Sequence, residues 1–267
     1  MSNSIRKWIF VLIVPLVVIG VIGSAGGSAG HGVALQSANV DFSDKASLQR
    51  GAQKYMNYCA GCHSLKFSRF NRVAKDLGLT EDNGFNEDDV NTLLKDNLIF
   101  IRGEDGKKVN TGALMETAYS SKAAAEAFGT NVPDLSLVGR SRGADWIYSY
   151  LHSFYLDDSR PMGVNNTVFK DVGMPHVLGE LQGWQTLVHH EDKEGHHVPP
   201  TLKRIKPGKL SADEYDTVVH DLTNFLVYVS EPAQLSRTMY GILTLLFLIV
   251  LFGFANALSK EYWKDIH

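Results

Sequence analysis

The chain has 267 residues, of which 44% are hydrophobic, 21% charged and 10% aromatic, with a formal net charge of −3. That length supports one mid-sized domain with appendages. The mix excludes global disorder, and the weak acidic balance gives no signal for nucleic acid.

The first predicted element is the apolar block in "SIRKWIFVLIVPLVVIGVIGSAGGSAGHG". Arg6 and Lys7 precede an apolar run over 8–22, and small residues follow, with Ala25 or Ala29 placed for cleavage. That order predicts an export signal over residues 1–29, because the run is short for a span of ~20 residues. An uncleaved N-terminal anchor is the alternative. Both readings take the middle of the chain out of the cytoplasm.

Residues 43–58, "SDKASLQRGAQKYMNY", read as a helix with Leu48, Ala52 and Tyr55 on one face. The region 64–110 is rich in loops, with a short helix expected at 87–95. "SKAAAEAF" (121–128) is helical by propensity. Residues 132–155 read as mostly helical, with Trp146, Ile147, Tyr150, Leu151 and Phe154 as an apolar stripe. Prolines and turn signals crowd 160–208, where "LQGWQTLVHHEDKEGHHV" alternates like a β-ribbon turning near Glu194 and Gly195. Residues 211–232 predict the clearest helix. Ser211 and Glu214 form a capping box, Val218, Leu222, Phe225 and Val229 share a face, and Pro232 follows the end. The last element is charge-free from 239 to 258, long enough to cross a hydrocarbon core of ~30 Å. Lys260 and Lys264 follow it and Arg237 precedes it, which places the short tail in the cytoplasm.

The only two cysteines lie in "YMNYCAGCHSLKF". Cys-x-x-Cys-His in an exported chain is the attachment sequence for c-type haem. Cys59 and Cys62 have the spacing to form thioethers with the two vinyl groups of one haem, and His63 follows to supply an axial imidazole. A thioredoxin-type pair needs a βαβ setting and no histidine. A zinc site needs four ligands; His189, His190, His196 and His197 are present, but there is no second cysteine pair. With both cysteines in one motif, none is left for a disulfide.

A second axial ligand must come from elsewhere. Met174 in "VGMPHV" is preferred, because Pro175 biases it towards an extended conformation and Gly173 allows close backbone approach. Met162, His152 and His176 are the alternatives. Met1, Met56, Met115 and Met239 lie in apolar or unsupported settings. His/Met ligation raises a reduction potential and leaves the iron no open position, which points to an electron relay.

With the CAGCH motif, "VPDLSLVGRSRGADWIYSYL", "VGMPHV", "VVHDLTNFLVYVSEP" and the terminal span in this order, the chain resembles the bacterial cytochrome c1 family. These are the haem subunits of the cytochrome bc1 complex (ubiquinol–cytochrome c oxidoreductase). The resemblance covers about residues 40 to 265. It implies a mainly α fold: a c-type cytochrome domain with inserted loops and a small β-ribbon, plus one C-terminal transmembrane helix. It implies one covalent haem c, held by Cys59, Cys62, His63 and Met174. Arg140 matches the family arginine that meets a haem propionate, with Arg142 as its alternative. Pro133 matches a proline packed near the haem. Trp146 takes the place of an aromatic near the propionates, although the segment from Arg142 to Trp146 is shorter than in mitochondrial members. The acidic stretch 81–89, "EDNGFNEDD", is either a solvated loop or a surface that attracts a basic cytochrome.

The expected layout is an export signal at 1–29, a periplasmic cytochrome domain at 30–234, an inner-membrane span at 235–258 and a cytoplasmic tail at 259–267. The implied partners are cytochrome b, the Rieske iron–sulfur protein, a c-type cytochrome acceptor and the lipid bilayer, in a dimeric complex. The chain alone is not expected to be catalytic. The alternative functions are a tethered cytochrome serving a terminal oxidase or denitrifying enzyme, and a haem-based sensor with a displaceable Met174.

Overall fold

A computed structural model describes residues 34–103, 106–117, 119, 121–191 and 197–265. The expected export signal lies outside the described residues, as does the ribbon turn at Glu194 and Gly195. The described fold is mainly helical, with three small antiparallel strand pairs and one C-terminal apolar helix.

The frame is a crossing of two helices. α1 (Lys45–Tyr58) starts where the Asp44 carboxylate accepts from the Ser47 amide at 2.9 Å. It buries Ser47, Leu48, Gly51 and Tyr55. α8 (Ala212–Ser230) starts with the predicted capping box, in which Ser211 and Glu214 satisfy each other's amides. At the crossing, a Cβ on Gly51 would stand 2.0 Å from the Asp221 carbonyl oxygen, so only glycine lets the backbones come this close. Beside it the buried Asp221 carboxylate accepts from Ser47 Oγ (2.7 Å), Arg50 Nε (2.6 Å) and Arg50 Nη2 (2.9 Å). The forked contact satisfies a charge that would otherwise be costly to bury. Tyr55 and Phe225 pack with ring centroids 5.6 Å apart.

Between these helices the chain is built of short pieces. β1 (Leu65–Arg69) pairs with β2 (Leu114–Met115), and α2 (Phe70–Asp76) follows β1. α3 (Glu87–Leu93) is shorter than the expected 87–95 and passes into a π-type turn, Leu94–Leu98. Its acidic residues, Glu87, Asp88 and Asp89, sit in the first turn, where they complement the helix dipole. α4 (Ser121–Phe128) matches its predicted bounds.

The expected long helix over 132–155 is a correction. It is two short helices, α5 (Val138–Ser141) and α6 (Ala144–His152), followed by β3 (Phe154–Leu156). Gly143, at φ +89°, breaks the run in a left-handed conformation. β3 pairs with β4 (Val164–Asn166). After α7 (Gly179–Gln182), β5 (Gly183–Glu191) and β6 (His197–Pro207) form the ribbon, longer than its sequence signal. β6 runs through Pro199 and Pro200, which fall where the ladder shifts register between Val188 and His190. α9 (Gln234–Tyr262) contains the apolar segment Ser236–Tyr262, with none of its most apolar stretch buried. At 1.5 Å per residue its 27 residues reach about 40 Å, enough for a tilted span.

Candidate haem site

The CAGCH motif is the continuation of α1. The Cys59 amide donates to the Tyr55 carbonyl (2.8 Å), and the His63 amide donates to the Cys59 carbonyl (2.8 Å). The Tyr55 hydroxyl donates to the His63 carbonyl at 2.6 Å, so the helix crossing also fixes the end of the motif. Both cysteines are free thiols, Cys59 buried and Cys62 half-buried. Burial pushes the Cys59 thiol up to about 12, and the neighbouring Cys62 adds to this. A redox dithiol requires an accessible thiol of lowered pKa, which this is not.

His63 has a defined tautomer. Its Nδ1 lies 2.8 Å from the Pro133 carbonyl, which can only accept, so Nδ1 carries the hydrogen and Nε2 keeps its lone pair. Burial lowers the pKa of the ring, against the opposing effects of the Pro133 contact and Asp134, and so favours the neutral imidazole. Pro133 acts on His63 through its carbonyl. The segment around it is zipped to the chain after the motif. The Leu135 amide donates to Ser64 O (2.9 Å), the Lys66 amide to Asp134 Oδ2 (3.0 Å), and the Phe67 amide to Ser136 Oγ (3.1 Å).

Met174 lies on an irregular segment before α7 and is half-buried. Its sulfur accepts a hydrogen bond from the Tyr150 hydroxyl at 3.4 Å. Tyr150 stacks on Trp146 (4.9 Å, 8°) and meets Phe154 edge-on (5.1 Å). It packs against both the main core, which includes Tyr55 and Cys59, and the smaller cluster of Phe154, Val164 and Val172 against which Met174 also lies. A Cβ on Gly173 would stand 3.1 Å from Thr130 Cγ2, so the close approach at that glycine is to Thr130.

The other candidates are placed differently. Met162 is 36% exposed on its loop. His152 is packed between the rings of Tyr148 (4.7 Å) and Tyr215 (5.2 Å), with Nε2 3.5 Å from Asp216. His176 stacks flat on Phe154 (4.7 Å, 5°) and edge-on to Trp184; burial pushes it down to about 4. Arg140 lies on α5, its amide donating to the Leu137 carbonyl (3.1 Å), and its guanidinium makes no hydrogen bond, ion pair or ring contact among the described residues. Arg142 instead holds its guanidinium over Trp146 (5.1 Å) and Phe169 (5.8 Å).

In the sequence Tyr150 shows only as part of an apolar stripe, and Phe169 carries no signal of its own. Aromatics at 146, 150 and 154, spaced by four ahead of the methionine segment, were the available signal. The donor set fits a c-type haem: two free thiols next to an imidazole with a free Nε2, and a thioether with a phenol as its polar contact.

Residues 36–266 match the model of the Cytochrome C1 family. The chain belongs to the cytochrome c1 family. Cytochrome c1 of Allochromatium vinosum is 51% identical over 246 residues, 90% of this chain and 93% of its own. Cytochrome c1 of Rhodospirillum rubrum is 27% identical over 94% of this chain and 96% of its own. A Nitrosomonas europaea protein named ammonia monooxygenase gamma subunit is 45% identical over 90% of this chain and 92% of its own. As a member of the cytochrome c1 family the chain is a haem electron carrier, a redox subunit of the cytochrome bc1 oxidoreductase with a c-type haem. The exposed apolar α9 fits a single membrane anchor.

Proposed function

We propose that this chain takes single electrons from the Rieske iron–sulfur protein and passes them to a c-type cytochrome, in a complex where cytochrome b carries out the quinol chemistry. The observation that carries this reading is the pair of neutral donors, His63 with Nε2 free and the Met174 thioether. Haem c, when bound, supplies a one-electron Fe(III)/Fe(II) couple. Cys59 and Cys62 would hold a single haem through their sulfurs, and His63 and Met174 would offer its iron an imidazole and a thioether. The Pro133 carbonyl orients the His63 ring and keeps its hydrogen on Nδ1. Of the two arginines the family pattern offers for a propionate, Arg142 is favoured over Arg140, because it lies over Trp146 beside the Tyr150–Met174 pair. A guanidinium there offsets a carboxylate in a partly dry setting.

The domain at 30–234 lies on the periplasmic side, the span at 235–258 crosses the inner membrane, and the tail at 259–267 stays in the cytoplasm. The basic Lys260 and Lys264 beyond the span support this orientation. The dimeric arrangement of the complex follows from the family resemblance.

Met174→Leu in the assembled complex tests the reading. Haem stays on the denatured chain, because Cys59, Cys62 and His63 are untouched. The potential falls by more than ~59 mV, a tenfold change for one electron. The near-infrared sulfur-to-iron band disappears, carbon monoxide binds, and quinol-driven reduction of the haem slows. An unchanged potential and band would refute the ligand assignment. Haem that extracts freely from the wild type would refute covalent attachment.

A further inference from the structure

The Tyr150 phenol is not needed to hold a haem, yet it is braced from every side. Its ring lies flat on Trp146 and edge-on to Phe154. Its carbonyl accepts from Asn166 Nδ2 (2.8 Å) and from the Ser153 amide (3.2 Å). The methionine segment is tied to the same unit. Asn165 Oδ1 accepts from the Asp171 amide (2.9 Å), and Arg160 Nη2 donates to the Asp171 carbonyl (2.9 Å). Donor and acceptor of the Tyr150–Met174 hydrogen bond therefore hang from one scaffold.

We propose that Tyr150 is a positioning and tuning residue that sets the reduction potential of the haem by donating its hydroxyl hydrogen to the Met174 sulfur. This rests on Met174 being the sixth ligand. A thioether sulfur has two lone pairs, so it can bind iron with one and accept a hydrogen bond with the other. The hydrogen bond draws electron density off the sulfur and makes it a poorer donor. Fe(III) depends on that donation more than Fe(II), so the bond favours the reduced state and raises the potential.

The test is an equilibrium redox titration of Tyr150→Phe in the intact complex, with the near-infrared band and carbon monoxide binding read on the same sample. Phenylalanine keeps the stacking on Trp146 and Phe154 and removes only the hydroxyl. The redox equilibrium shifts towards Fe(III) by about two- to tenfold, the range of one net hydrogen bond. That is ~18 to ~59 mV downward. The band persists, carbon monoxide stays out and haem remains attached. Tyr215→Phe is the control, since that hydroxyl donates to the Leu151 carbonyl (2.8 Å) and its loss leaves the potential unchanged. If Tyr150→Phe does not fold, Tyr150→3-fluorotyrosine keeps the hydroxyl, makes it a stronger donor, and shifts the potential upward.

An unchanged potential with the band intact overturns the proposal. So does loss of the band in Tyr150→Phe, which would make Tyr150 a clamp for the ligand instead of a tuner of it. Failure of the underlying reading looks different: the band is missing from the wild type or survives Met174→Leu.

Discussion

The His63 side of the site hangs from a helix crossing, whereas the Met174 side hangs from a loop laced together by side-chain amides. On the first side, α1 and α8 satisfy their own main-chain groups, and their side chains are free to pack. Tyr55 then passes that rigidity to His63 through one hydrogen bond. On the second side no helix or sheet ladder serves residues 157–174 beyond the short β3–β4 pair. Buried main-chain groups must still be paired. Asn166 Oδ1 accepts from the Val168 and Phe169 amides (2.9 and 3.1 Å), while Asn165 and Arg160 tie down Asp171. The difference teaches that one candidate ligand is held by burial spread over many residues, and the other by a few polar atoms. Damage to the first is global; damage to the second is local.

Asn166→Leu gives the largest effect expected of this contrast. It leaves the Val168 and Phe169 amides without their partner, at ~1–3 kcal/mol each, and takes from the Tyr150 carbonyl one of its two hydrogen bonds. The loop opens to water at a lower total cost, so Met174 is released while the helix crossing stays folded. Carbon monoxide binding rises and the near-infrared band weakens, with the main thermal transition shifted little. A variant in which the transition collapses together with the band would show that the two sides are one unit.

Gly51→Ala probes the other side. The added methyl would meet the Asp221 carbonyl and Phe225 Cβ, at 2.0 and 2.7 Å. Overpacking of this kind costs ~1–3 kcal/mol, against ~1 kcal/mol gained in helix propensity. The expected result is a lower thermal midpoint for the full chain, by up to about 2 kcal/mol of stability, with the Met174 band intact until unfolding. A higher midpoint would mean that the crossing yields easily.

The smallest effect is at the start of α8. The Ser211 amide and hydroxyl contacts hold the Glu214 carboxyl below its ordinary pKa. A group with a lowered folded pKa contributes stability above its unfolded value, near 4.5, and loses it as pH falls through the folded value. The midpoints of wild type and Glu214→Gln should differ at pH 7 and converge below pH 4.5. A gap that stays constant with pH would assign the effect to packing.

What could be read in advance divides along the same line. The attachment motif, the capped helix at 211–232 and the helix at 121–128 show in composition, spacing and period, because regular helices repeat their burial. The break at Gly143 did not, since a glycine tolerates many conformations and only the native contacts select φ +89°. Asn165 and Asn166 carried no periodic signal either. A buried asparagine that caps a loop looks, as a letter, the same as a solvated one. Pro175 marks Met174 as a candidate in the sequence, but its hydrogen-bond donor Tyr150 is hidden in an apolar stripe.

The junction between α8 and α9 has a mechanical consequence. α8 ends at Ser230 and α9 begins at Gln234, with Glu231, Pro232 and Ala233 between them. The Gln234 amide already donates to the Glu231 carbonyl (3.0 Å), and Arg237 pairs with Glu231 across the bend. Three residues pulled straight would span only about 10 Å. A head leashed this tightly can swing only a short way from the start of α9.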